Sequence, residues 1–397
     1  MKILLVHNAY QQPGGEDVVF NQERELLERA GHQVLTYCRS NWEISAYSGL
    51  KQVALLGRMV WARDTRQEIA DVLASAKPDV VHVHNTFLMI SPSIYSACYE
   101  ANIPVVQTLH NYRLFCPAAN FSRDGHACVE CLEHNLWRGI YYGCYRESRV
   151  QTAGVALMLK VHRLLRTVGK MINIYVALSE FSRQKFVACG LPAERTTTKP
   201  NFVYPDPEAR TRPGEYALFV GRLSPEKGLL TLLTSWTRMG ARVPLAIVGD
   251  GPLASRLLSE VQARSLNHVS LRGRLARADT YQAIKSAGFL ILPSECYENF
   301  PMSVVEAFAC GVPVICSRAG AMQEIVADGR TGLHFTPGDA DDLAKKVEWA
   351  WTHRAEMAAM GRAARAEYEA KYTAERNYAM LMDIYQRAAN SKALSPC

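Results

Sequence analysis

Glu298-Asn299-Phe300-Pro301-Met302-Ser303-Val304-Val305-Glu306 holds two carboxylates eight positions apart, with a proline between them. A few residues upstream, the apolar run at 289–292 reads as a strand that ends at Pro293. Proline is tolerated in the first turn of a helix and disfavoured deeper inside, so Pro301 marks a helix start. Strand, polar loop and helix start, in that order, are how open α/β sheets build ligand sites beyond the carboxyl ends of their strands. The first carboxylate then sits in the loop and the second about one turn into the helix. That helix start offers unpaired backbone N–H groups and a positive dipole end, both suited to a phosphate. In outline this is a sugar-nucleotide site, with one acid on sugar hydroxyls, the other on ribose hydroxyls and the diphosphate between. An ordinary strand–loop–helix turn with two solvated acids has the same text, and the rest of the chain decides between them.

Working outward, 397 residues exceed one ordinary domain and suit two. A hydrophobic content of 48% is that of a globular protein with a substantial core. No run of about 18 apolar residues occurs, so no transmembrane helix is expected. The start, Met1-Lys2-Ile3-Leu4-Leu5-Val6-His7, is one strand length and does not read as a signal peptide. A net charge of +7 without a long basic block gives no reason to expect nucleic acid. Eleven cysteines in a chain without a secretion signal point to thiols or metal ligands more than to disulfides.

Short β-branched runs at 3–6, 80–83, 105–109 and 174–177 read as buried parallel strands, alternating with helical patterns at 20–29, 67–75 and 180–189. Pro205, Pro207 and Pro213 interrupt regular structure between 201 and 214. Beyond them the alternation restarts, with strands at 216–220, 245–248, 269–271, 289–292, 313–315 and 332–335. Helical patterns over 340–351 and 354–389 close the chain. The expectation is an α/β protein of two Rossmann-like domains, with a cleft between them as the ligand site. The first spans 1–204 and is joined by the C-terminal helix at about 375–397; the second spans 205–374.

Two further loops carry chemistry. Gly14-Gly15 lies between the first strand and its helix, where a tight glycine turn lets a ligand approach the backbone; a plain turn reads the same. It lacks the Gly-x-Gly-x-x-Gly pattern of dinucleotide binders. Gly221-Arg222-Leu223-Ser224-Pro225-Glu226-Lys227-Gly228 follows the first strand of the second domain. Its arginine and lysine can aim at one phosphate pair, the arginine bidentate and the lysine as a point charge.

These stretches, with Val248-Gly249-Asp250-Gly251-Pro252, Asn201, Gly15 and His110 in Thr108-Leu109-His110-Asn111, make the chain resemble the retaining GT-B glycosyltransferases of family 4. The resemblance runs over nearly the whole chain. It implies a hexosyltransferase that moves a sugar from a nucleotide-sugar donor, with retention of configuration, to a glycan or lipid-linked acceptor in surface polysaccharide or glycolipid assembly. By the same resemblance Arg222 and Lys227 bind the diphosphate, and Glu298 contacts the donor sugar beside the backbone N–H groups near Asn299–Phe300, with Pro301 next in the donor-binding stretch. Glu306 holds the ribose, Gly15 approaches the donor, and His110 faces the reacting sugar. No cofactor is expected for catalysis, because Arg222, Lys227 and the helix start supply the positive charge that a leaving diphosphate needs. Asp339-Ala340-Asp341 spells a metal motif, but its place after Pro337-Gly338 and before a helix suits a cap. A sugar-nucleotide epimerase, a phosphorylase and a catalytically silent sugar-binding scaffold are the rival readings.

One feature departs from the minimal family pattern. Cys116, Cys128, Cys131 and Cys144 cluster in sequence, and Cys128-Val129-Glu130-Cys131 has the spacing of a structural zinc site. Thiols without metal, a disulfide, an iron–sulfur cluster or a redox pair would use similar text. Residues 157–172 have a helical apolar stripe (Leu157, Val161, Leu164, Leu165, Val168, Ile172) opposite Arg163, Arg166 and Lys170. This reads either as a domain helix with its apolar side on the core, or as a peripheral contact with anionic lipid. The expected location is cytoplasmic, peripheral to the inner face of the membrane in the second case.

Overall fold

The structure, a computed structural model, describes residues 1–12, 14–46, 50–133 and 135–391. The chain divides into two compact units. The first is Met1–Asn120, Val129–Pro200 and the C-terminal segment from Asn377; the second is Phe121–Cys128 and Asn201–Arg376.

The first unit is built on a parallel sheet of β1 (Lys2–Ala9), β2 (Gln33–Ser40), β3 (Val80–Val83), β4 (Val105–Thr108), β7 (Ile174–Ala177) and β8 (Thr196–Thr198). The order is β2-β1-β3-β4-β7-β8. Along the chain between β4 and β7, β5 (Ser122–Arg123) and β6 (His126–Ala127) form a small antiparallel hairpin that belongs to the second unit. Fully buried runs such as β3 and β4 show why this sheet is covered on both faces. Ile3, Leu5, Val80, Val106 and Val176 pack against Leu381, Ile384, Tyr385 and Ala388 of the helix Ala374–Asn390. Tyr378 adds a hydroxyl contact to His32, at 2.9 Å.

The second unit holds β9 (Tyr216–Val220), β10 (Leu245–Val248), β11 (Val269–Leu271), β12 (Ala287–Leu292), β13 (Val314–Ser317) and β14 (Gly332–Phe335), all parallel. Their order, β11-β10-β9-β12-β13-β14, reverses between β9 and β12. That reversal is the classic switch point of a doubly wound sheet, where ligands bind. In the first sheet the corresponding reversal lies between β1 and β3.

Two local readings need correction. The helix after β1 begins at Gly15, with Gly14 as its N-cap, so the glycine pair is the helix start itself and not a turn before it. Residues 157–172 are not one helix: Arg149–Leu164 ends, Arg166 takes a left-handed conformation at φ 51°, and a short turn Thr167–Lys170 follows. The inward side is Val155, Met158, Leu159 and His162, leaving Leu157, Leu164 and Leu165 54%, 74% and 46% exposed. The reason is Gly154: a Cβ there would lie 2.6 Å from Leu56, so the glycine side is the one pressed against the helix Leu50–Val60. Asp339 does cap the helix Ala340–Thr352, its Oδ1 accepting from the N–H groups of Asp341 and Asp342 at 2.9 and 3.0 Å.

Candidate active site

In the second unit the loop after β9 and the loop after β12 meet at the switch point. Gly228 makes this possible. Its φ is +66°, and a Cβ there would stand 1.9 Å from the carbonyl oxygen of Pro293, so only glycine lets the backbones touch. The turn Pro225–Lys227 is thereby seated on the segment after β12, with the Glu295 N–H donating to the Glu226 carbonyl at 2.9 Å. Lys227 Nζ then lies 2.5 Å from Glu298 Oε1, which also accepts from the Ser294 hydroxyl at 2.6 Å. Ser294 is fixed in turn by the Ser317 hydroxyl of β13, which donates to its carbonyl at 2.6 Å. Gly320, at φ +57°, packs against the Glu298 backbone, where a Cβ would lie 3.1 Å from the Glu298 carbonyl oxygen.

Burial pushes the Glu298 carboxyl up, but the Lys227 ammonium and the Ser294 hydroxyl outweigh it and hold the group below the usual carboxylate range. Burial pushes Lys227 down and Glu298 outweighs that in the same way. Both groups are therefore charged at neutral pH. Pro301 is the N-cap of the helix Met302–Ala309, and Glu306 lies one turn in. Burial pushes the Glu306 carboxyl up, opposed by the nearby Arg277 guanidinium. Asn299 is buried, and Phe300 packs edge-on to Tyr372 at 6.1 Å between ring centres. Arg222 is exposed, and its side chain makes no hydrogen bond or ion pair among the described residues. Gly249 joins the same sheet edge, its N–H donating to the Gly273 carbonyl at 2.8 Å.

In the first unit, His110 follows β4 and its Nε2 lies 3.0 Å from Nδ1 of His84, which follows β3; the rings stack. Behind them Glu23 is wholly buried, with Lys199 Nζ 2.6 Å from its Oε1 and His84 Nε2 3.4 Å from its Oε2. Burial pushes the Glu23 carboxyl up, yet Lys199 and the histidines outweigh it and hold it well below the usual range. Burial pushes His82, His84 and His110 down, so all three rings are neutral near pH 7. One tautomer set fits these contacts: His84 keeps its proton on Nε2 toward Glu23, its bare Nδ1 accepts from His110 Nε2–H, and His110 Nδ1 is left as an acceptor. Glu23, His82 and His84 are also the one group among the described residues whose potential metal-ligand atoms lie within 4.8 Å of one another. Lys199 already supplies the cation there. No three of the four cysteines meet that spacing among the described residues, and no disulfide forms among them.

Gly15 stands at the start of its helix, and the next residue brings a group the sequence did not advertise. The Glu16 carboxylate accepts from the Asn85 and Asn111 amides at 2.8 and 3.4 Å. Burial first, and the neighbouring Asp17 second, push its carboxyl up to about 8. A group raised in the folded state stabilises it below the unfolded value and loses that contribution as pH rises through the folded one. Thermal unfolding of the wild type should thus lose stability from pH 6 to pH 9 relative to Glu16→Gln; parallel curves would contradict this. Ser294, Glu16, Glu23, His84 and Lys199 were all missed in the sequence. The usable signal was His82-Val83-His84-Asn85, a polar end to an otherwise apolar strand.

Two doubly wound units of parallel sheet with flanking helices in one chain define the GT-B class of α/β proteins. Residues 13–206 match the model described as Glycosyltransferase Family 4, and residues 205–367 match Glycosyl transferases group 1. The chain belongs to the group 1 glycosyltransferases. It is 34% identical to an uncharacterized glycosyltransferase of Methanocaldococcus jannaschii, over 33% of this chain and 37% of the relative. It is 32% identical to the D-rhamnosyltransferase WbpZ of Pseudomonas aeruginosa, over 40% and 42%. The matched part thus spans about two fifths of the length of these relatives. The Anabaena HepE structure in complex with UDP superposes with a TM-score of 0.68 at 19% identity, covering 97% of this chain and 100% of that one. No helix among the described residues is long and apolar enough to cross a membrane.

Proposed function

We propose that this chain is a retaining hexosyltransferase that moves a sugar from a nucleotide-sugar donor to a glycan or lipid-linked acceptor, in surface polysaccharide or glycolipid assembly. The observation that carries this reading is the Lys227–Glu298 pair, set at the sheet's switch point beside a helix start. In the reaction the acceptor hydroxyl oxygen bonds to the sugar's C1 while the bond from C1 to the diphosphate oxygen breaks. The bonding electrons leave with the diphosphate, and the hydroxyl proton passes to it or to solvent. Lys227, Arg222 and the N–H groups at the start of Met302–Ala309 stabilise the charge that develops on the leaving group. When a donor arrives, its diphosphate competes with Glu298 for Lys227, and the released carboxylate accepts from sugar hydroxyls. Glu306 takes the ribose hydroxyls. His110, in the first unit, offers Nδ1 as an acceptor toward the reacting sugar. No metal is needed in this scheme, because the side chains and the helix dipole carry the positive charge. UDP in the HepE complex supports a nucleoside diphosphate as the group held.

A thermal-shift screen of UDP-, GDP-, ADP- and dTDP-sugars tests the donor assignment, since the right donor raises the melting temperature by mass action. No shift with any of them in the wild type, or the same shift in Lys227→Ala, would contradict it.

A structural zinc on Cys116, Cys128, Cys131 and Cys144 belongs to the same proposal. Its support is the Cys-x-x-Cys spacing of Cys128 and Cys131; among the described residues no three of the four ligand atoms lie within 4.8 Å of one another. Four thiolates would hold one tetrahedral ion as a purely structural tie. Metal analysis of untagged protein should find one zinc per chain, released together with a fall in melting temperature on chelation; metal-free protein with four titratable thiols would end the idea. Peripheral contact with the membrane through 157–172 is likewise proposed, supported by exposed Leu157, Leu164 and Leu165 beside exposed Arg163 and Arg166. The wild type should float with anionic liposomes and Arg163→Glu/Arg166→Glu should not.

A further inference from the structure

The first unit contains a cavity of about 580 Å³ beside His84 and His110. Its walls include Phe87, Leu109, Phe115, Met158 and Leu159, so a large part of its surface is hydrocarbon. Four cations also line it: Arg113, which donates to the Pro117 carbonyl, and Arg163, Arg166 and Lys170, of which Arg163 and Arg166 are exposed to solvent. The same lining carries two buried polar atoms that find no partner among the described residues, the Tyr95 hydroxyl and Gln107 Oε1. Buried polar groups are seldom left unsatisfied, and each such orphan costs about 1–3 kcal/mol. A cavity that is apolar, roomy and edged by cations, and that leaves a donor and an acceptor unmet, has the chemistry of a binding site. His84 and His110 belong to its lining as well.

We propose that this cavity binds the acceptor, and that the acceptor is an anionic amphiphile: an apolar chain against Phe87, Phe115, Met158 and Leu159, with a phosphate held by Arg163, Arg166 and Lys170. This rests on the glycosyltransferase reading and narrows its acceptor from glycan or lipid-linked to the phosphate-bearing lipid class. Charge complementarity decides between occupants. A neutral glycan would leave three cations unanswered and apolar walls wet, whereas a neutral lipid would leave the cations unanswered alone. Arginine is suited to the task, since its planar fork binds phosphate oxygens in pairs. The break at Arg166 contributes: its left-handed conformation ends the helix and starts the short turn that carries Lys170. Leu164 and Leu165, exposed between the two arginines in sequence, give the chain an apolar surface to follow outward.

Binding to the full chain should be measured by calorimetry with farnesyl phosphate below its aggregation concentration, and separately with farnesol and with inorganic phosphate. Farnesyl phosphate should bind at one saturable site, with farnesol at least tenfold weaker and inorganic phosphate not measurable. Arg163→Glu/Arg166→Glu changes only exposed side chains and should weaken farnesyl phosphate at least tenfold without altering the melting temperature. Met158→Trp, which fills the cavity, should do the same through the apolar end. Equal binding of inorganic phosphate and farnesyl phosphate would reduce the site to a free-phosphate site and overturn the proposal. So would farnesyl phosphate binding that is absent, or unchanged in the arginine variant. The melting shift with nucleotide sugars, read on the same samples, separates the two levels: donor binding without amphiphile binding overturns this inference alone, and loss of both overturns the glycosyltransferase reading with it.

Discussion

Lys227→Ala should lower kcat/KM for sugar transfer by about 100- to 1000-fold, the range found when a single charge-stabilising group is removed from a transition state. The effect should appear in both KM and kcat, because Lys227 holds the donor's diphosphate on binding and meets the extra charge that develops as it leaves. Glu298→Ala should be comparably damaging for a second reason. It removes the acceptor for sugar hydroxyls and leaves the Lys227 ammonium, now 20% exposed, without its 2.5 Å partner. The two substitutions share one contact, so their effects should not add: the double variant should lose little more than the worse single one. Steady-state kinetics of the four proteins in one double-mutant cycle check this. Additive losses would mean that the pair does not act as a unit.

Glu23→Gln should give the largest loss of stability. Breaking a buried ion pair from one side leaves an uncompensated charge, at a cost of about 3–5 kcal/mol. Here the stranded group would be Lys199, which is fully buried. Glu23→Gln/Lys199→Met should recover much of the loss, since removing both charges is far cheaper than removing one. The recovered double variant also isolates the role of the carboxylate behind His84. If Glu23 fixes the proton on His84 Nε2 and so the tautomer of His110, the double variant should regain stability but keep a reduced kcat and a shifted pH–rate profile. Restoration of both stability and wild-type pH dependence would confine Glu23 to a structural role. Denaturant unfolding with pH–rate measurements on these variants distinguishes the two.

The second unit was almost fully legible. All six of its strands were visible because β10, β12 and β13 are buried apolar runs with turn residues at their ends. The first sheet was harder. β2 was missed because this edge strand is nowhere fully buried, so its text is mixed; β8 is a run of three threonines with no apolar signal. For the candidate site, the sequence singled out Glu298, Lys227 and His110 through resemblance and loop position. It could not show that Glu298 and Lys227 bond each other, because that depends on the backbone contact between Gly228 and Pro293, 65 positions away in sequence. Nor could it join Glu23 to Lys199, 176 residues apart. The helix at 157–172 went wrong for a physical reason: periodicity finds an apolar side but not which side faces inward, and Gly154 set that direction.

The central claim is that a sugar leaves a nucleotide on this protein and keeps its anomeric configuration. Its most direct test is NMR of the C1-labelled product formed from whichever nucleotide sugar raises the melting temperature. The account predicts a new glycosidic bond with the donor's own configuration at C1, formed by the wild type and lost in Lys227→Ala. A product of inverted configuration, or a donor that binds and never turns over with any phosphate-bearing lipid or glycan acceptor, would contradict it.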